Sequence, residues 1–106
     1  MDVSKWVLHQ LRPPAEERFQ SLCHDLGAAP GKRSYVFAEL NDFLSRLSRR
    51  ELFQAVRQAP SIELPAFEAN YLAAMVEQAS TALGASPPDW TRRVKPLERP
   101  WFASPL

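Results

Sequence analysis

Glycine is scarce in this chain: Gly27, Gly31 and Gly84 are the only three among 106 residues. They lie too far apart for either glycine-rich nucleotide fingerprint, which excludes a phosphate-cradling loop of those types. Cysteine is rarer still. Cys23 alone cannot form an internal disulfide, and with only His9 and His24 beside it there are too few ligands for a structural zinc site. A lone thiol fits a reducing, cytoplasmic setting. Long apolar runs are also missing, since no stretch approaches the roughly 18 residues of a membrane span. The start, Met1-Asp2-Val3-Ser4-Lys5-Trp6, lacks the basic-then-apolar layout of a signal peptide. A soluble protein with no membrane partner is expected. Nor is there an excess of one charge: thirteen basic against twelve acidic side chains leave a net +1. That balance supplies no global pull toward nucleic acid or an anionic surface.

What is present is an ordinary apolar fraction of 45% and ten prolines. The first is enough for one folded domain; the second punctuates it. Val3, Trp6, Val7 and Leu11 recur at helical spacing, with Asp2 or Ser4 available as a cap, and Pro13-Pro14 ends this segment. The same prolines open a second helix. Glu16 and Glu17 suit its positive end, Phe19, Leu22, Cys23 and Leu26 share a face, and Gly27 is the expected stop. After a Pro30-Gly31 loop, Ser34 is the expected cap of a helix bearing Val36, Phe37, Leu40, Phe43, Leu44 and Leu47. Ser48 and Glu51 have capping-box spacing, and Leu52, Phe53 and Val56 give the next helix its apolar face before Pro60 closes it. The longest helix, about residues 64–83, starts with Pro65 in its first turn and stops at Gly84. Phe67, Tyr71, Met75, Ala79 and Leu83 form its main stripe, with Leu72 and Val76 widening it into a central helix covered on two sides. The fold class is therefore all-α: a bundle of about five helices over residues 1–84, then a tail over 85–106.

That tail changes character. Residues 87–106 hold five of the ten prolines and two of the three tryptophans. No helix or strand period survives such proline density, so an extended segment is expected. Its indoles are costly to leave in water, so they should pack on the bundle or on a partner. The helix over residues 61–83 carries Glu63, Glu68 and Glu77 without a lysine or arginine, while the tail is net basic. The two can pair within one molecule or across two.

No polar set converges at a spacing that common catalytic mechanisms require, so neither an enzyme nor a cofactor is expected. Cys23 and His24 are neighbours about 100° apart around a helix, so their side chains diverge. Cys23 reads as a small core residue and His24 as a surface one. Glu39 and Asp42, three apart on a polar face, have no third ligand and read as a solvated surface. The basic clusters Ser48-Arg49-Arg50 and Thr91-Arg92-Arg93-Val94-Lys95 can contact phosphates, but near-neutral charge favours a solubilising role. Trp90 beside Arg92 and Arg93 suits a single strand or an acidic protein equally.

Two elements of the tail, Pro87-Pro88-Asp89-Trp90 and Glu98-Arg99-Pro100-Trp101-Phe102, follow helices containing Phe37-Ala38-Glu39-Leu40-Asn41-Asp42-Phe43-Leu44 and residues 67–83. In that order they resemble the helical region of bacterial helix-turn-helix antitoxin-like proteins, from Phe37 to Leu106. The amino-terminal stretch is shorter than the DNA-binding domain those proteins carry. The resemblance implies a protein-binding module that neutralises a partner toxin, of nucleotidyltransferase-like type, by covering its active cleft. Trp90, Trp101 and Phe102 would be the anchors, with Arg92, Arg93, Lys95 and Arg99 supplying charge complementarity. The alternative from the residues is a nucleic-acid-binding regulator acting as a homodimer, with Arg49-Arg50 and Arg92-Arg93 on phosphates. A third is a structural subunit whose tail exchanges between two copies.

Overall fold

The computed structural model describes residues 14–94. The expected helix over residues 3–11 and the expected anchors and charges at Lys95, Arg99, Trp101 and Phe102 lie outside the described residues.

The described chain is all-α, with no strand among its residues. Helix α1 (Pro14–Ala28) begins where Glu16 and Glu17 meet its positive end, and it buries Phe19, Leu22, Cys23 and Leu26. It does not stop at Gly27. The helix continues to Ala28, because Gly27 serves a close approach instead of a left-handed turn. A Cβ there would stand 2.6 Å from Ile62 Cδ1 and 3.3 Å from Leu64 Cδ2. The loop over residues 57–65 thus crosses directly above the helix backbone.

A 3-10 turn (Pro30–Lys32) leads into α2 (Arg33–Ser45), which buries Val36, Phe37, Leu40 and Leu44. Ser34 is not its cap. Lys32 holds that position with no side-chain bond, since the preceding turn, closed by the Lys32 amide on the Ala29 carbonyl at 2.9 Å, already directs the chain into the helix. Helix α3 (Arg49–Val56) starts at the capping box. The Glu51 amide donates to Ser48 Oγ at 3.2 Å, and the Ser48 amide donates to Glu51 Oε1 at 3.0 Å. That backbone bond, with the Ser48 hydroxyl second, holds the Glu51 carboxyl below its ordinary range. Leu52, Ala55 and Val56 face inward, whereas Phe53, expected on the buried face, is 66% exposed.

Helix α4 (Ala66–Ala82) follows Pro65 and ends at Gly84. The Ala85 amide reaches the Ser80 carbonyl at 2.9 Å and the Gly84 amide reaches Thr81 at 3.0 Å, with Gly84 at φ 68°. This is the double closure of a Schellman motif, which needs a left-handed residue at that place. Gly84→Ala is expected to cost about 1–2 kcal/mol for forcing a Cβ into that region. Thermal unfolding should register the loss, and Gly84→Asn should recover part of it.

The line that α4 buries most deeply is Leu72, Ala73, Val76 and Ser80, so Leu72 and Val76, expected to widen the stripe, lie at its centre; Phe67, Met75 and Ala79 pack half-buried against the core, whereas Tyr71 is 50% exposed and Leu83 is exposed as well. Ser80 sits in the core at no polar cost because its hydroxyl donates to the Val76 carbonyl at 2.9 Å. Among the described residues α4 is therefore covered on one side. Its first turn buries Glu68 against Arg33 of α2 at 2.9 Å. The same guanidinium lies 4.6 Å over the Phe67 ring. Residues 90–93, expected to be extended, close a short helix, α5 (Trp90–Arg93). The Pro88 carbonyl takes both the Thr91 amide at 3.1 Å and the Thr91 hydroxyl at 2.8 Å, which bends the chain into a turn. Helix α1 packs on α2 and α3, α4 packs on α2, α3 and α5, and one continuous apolar cluster joins α1 to α4. No described helix is long and apolar enough to cross a membrane.

Candidate functional site

Helix α3 and residues 85–93 face each other across a groove of about 1120 Å³. It exists because α3 buries Leu52, Ala55 and Val56 while Arg49, Arg50 and Phe53 stay exposed beside them, and because Gly84 sends the chain back past α3 after α4 ends. Pro87, Pro88 and Trp90 form the facing wall, with Arg93 at the rim.

Trp90 is seated in its own chain. Its Nε1–H donates to the Val56 carbonyl at 2.7 Å, and its ring lies 6.3 Å from that of Phe19 at 38°. Val56 is the last residue of α3, so its carbonyl has no partner inside the helix. The indole satisfies it and fills the space over α1. Of the two seats expected for this indole, the bundle or a partner, the structure shows the first, and what Trp90 lends the groove is a wall already fixed from behind.

The arginines divide cleanly. Arg92, expected in an interface, is held by Asp89 at 2.7 Å. Arg57 reaches Glu16 at 3.6 Å, Arg18 reaches Glu39 at 3.5 Å, and Arg46 reaches Asp42 at 3.2 Å. Glu39 and Asp42 are thus engaged as ordinary helix-face carboxylates. Arg49, Arg50 and Arg93 are exposed and form no ion pair with a described residue, and all three line the groove. The two basic clusters of the sequence therefore meet at one place. Sequence reasoning missed Phe53 as a surface residue, because Leu52, Ala55 and Val56 complete the inward face of α3, and it missed the convergence of Arg49 and Arg50 with Arg93, because that depends on how the chain returns after Gly84.

A second, smaller depression of about 760 Å³ lies between α2 and α4. Its aromatic floor has Phe37 and Tyr71 rings 4.5 Å apart and Phe67 and Tyr71 rings 5.9 Å apart. The sequence placed these residues in a core stripe.

Cys23 is fully buried, and burial pushes its thiol up to about 12. Such a thiol stays protonated near neutral pH and is a packing group, not a nucleophile. His24, its neighbour, is exposed. Among the described residues no group of three or more His, Cys, Asp or Glu side chains gathers at a spacing suited to a metal ion. Set against protein-family models, curated proteins and solved structures, the chain matches none.

Proposed function

We propose that the chain is a protein-binding module of antitoxin type, which neutralises a nucleotidyltransferase-like toxin by covering its active cleft. The observation that carries this reading is the groove beside α3. It combines unpaired guanidiniums, an exposed phenylalanine and a preformed wall, the composition of a protein-recognition surface. The Pro87-Pro88-Asp89-Trp90 element that carries the resemblance forms that wall. Trp101, Phe102, Lys95 and Arg99 would extend the contact, and a reducing cytoplasmic setting suits the single buried thiol. No enzyme chemistry belongs to this role.

The test is co-expression with the product of the adjoining reading frame. Growth arrest caused by that product should be relieved, its transferase activity should fall to background, and a complex should form that Trp101→Ala weakens at least about tenfold, as for loss of a hot-spot tryptophan. Undiminished toxicity with no complex would overturn the reading. The unpaired Arg49, Arg50 and Arg93 favour a second reading, a nucleic-acid-binding regulator that acts as a homodimer. It requires an affinity for DNA or RNA that falls steeply with salt.

A further inference from the structure

Eight arginines lie among the described residues, and their partners sort them. Five are held: Arg18 by Glu39, Arg33 by Glu68, Arg46 by Asp42, Arg57 by Glu16 and Arg92 by Asp89. The three left over are Arg49, Arg50 and Arg93, and every one of them borders the same groove. Arg57, although paired with Glu16, lines the groove as well, so four of the eight arginines gather there. The same groove is lined by Phe53, 66% exposed, with Pro87 and the fixed indole of Trp90.

The chain itself offers little to cover this surface. Residues 1–13 carry Lys5 and Arg12 against Asp2, and residues 95–106 carry Lys95 and Arg99 against Glu98, so each end brings one more base than acid to a basic groove. A second copy would have to present an acidic run. The one adjacent acidic pair is Glu16-Glu17, of which Glu16 is buried and held by Arg57, and Glu17 is also engaged. The complement that these guanidiniums lack among the described residues is carboxylate, and neither end of the chain carries it in excess.

Resting on the reading of the chain as a protein-binding module, we infer that this groove takes an acidic peptide segment of the partner protein, with carboxylates flanking one bulky apolar residue. Carboxylates meet Arg49, Arg50 and Arg93 in paired, charge-assisted bonds, and the apolar residue packs between Phe53 and Pro87. A polynucleotide fits less well. A phosphate backbone needs a continuous basic track, whereas these arginines share their groove with the apolar Phe53 and Pro87.

The experiment is selection from a random-peptide display library on the full chain, repeated on R49E/R50E/R93E, with labelled oligothymidylate as a second probe. The native chain is expected to enrich peptides in which Asp or Glu flanks Phe, Leu or Trp. Those peptides should bind the reversed variant at least about tenfold more weakly, and the variant should enrich Lys and Arg in their place. All three side chains are exposed, so helical content and melting temperature should be unchanged. The milder R49Q/R50Q pair, with the charges removed instead of reversed, and Phe53→Ser, with the charges kept, should each weaken the same peptides. Selection without acidic bias, binding indifferent to charge reversal, or oligothymidylate binding tighter than any peptide would each overturn the inference. A toxin complex that survives in R49E/R50E/R93E, with no acidic peptide selected, sinks this inference and leaves the proposed function standing. Acidic-peptide capture without any toxin complex does the reverse.

Discussion

Trp90→Ala is expected to lower the unfolding free energy by about 3 kcal/mol, the low end for truncating a packed tryptophan, because the ring is only partly buried. Two losses combine. The ring leaves its seat against Phe19, and the Val56 carbonyl loses the donor that reaches it at 2.7 Å. Trp90→Phe separates them, since a phenyl ring keeps part of the packing but has no N–H. Its cost should be about 1–2 kcal/mol, the range for a carbonyl left without a partner near the protein surface. A double substitution with Phe19→Leu should be non-additive by about 0.5–1.5 kcal/mol, because the two rings touch. Urea denaturation followed by circular dichroism gives all three values. Were Trp90→Ala as stable as the native chain, the segment after Gly84 would be an appendage and the groove would have no fixed wall.

Alkaline pH should destabilise the chain through Cys23. In the unfolded chain the thiol ionises near 9.0, and in the folded chain burial raises that to about 12. The folded form therefore keeps a proton that the unfolded form releases. The contribution is whole below pH 9 and shrinks as pH climbs toward 12, by about 1.4 kcal/mol for each unit. Cys23→Ala abolishes this slope, whatever constant penalty its smaller volume adds. Unfolding midpoints measured across the alkaline range for both chains give the comparison. Parallel lines would mean that the thiol is not sealed in the core. Alkylating reagents should report the same fact by labelling Cys23 only as fast as the chain unfolds.

Local chemistry made much of the fold readable from the residues. Ser48 and Glu51 announced a helix start that their mutual bonds produce, and Gly84 announced a helix end that its positive φ produces. Where the reading failed, distant parts of the chain decide. Gly27 looks like a stop until Ile62, far along the sequence, is seen to need the space above it. On α4 the hydrophobic pattern fits two neighbouring stripes. The buried one contains Ser80, whose hydroxyl satisfies itself on Val76 and so hides a core position behind a polar letter. Phe53 reads as core because phenylalanine usually is, yet α3 is short and Leu52, Ala55 and Val56 complete its inward face. The candidate site was visible only as separate pieces. Each arginine cluster was noticed, but their meeting depends on the chain doubling back at Gly84, and Trp90 was as plausible facing outward as inward until Val56 supplied its acceptor.

The loop over residues 57–65 has neither helix nor strand to satisfy its backbone, and one side chain of α1 supplies the deficit. Gln20 Nε2 donates to the carbonyls of Ala59 at 3.1 Å and Gln58 at 3.4 Å, and Gln20 Oε1 accepts the Ser61 amide at 2.9 Å. A primary amide thus imitates a neighbouring peptide unit, accepting on one side and donating on the other. Hydrogen exchange at Ser61 is therefore expected to be slowed by this side chain, exposed though the residue is. The connection that looks most like a loose hinge is tied to the helix beneath it.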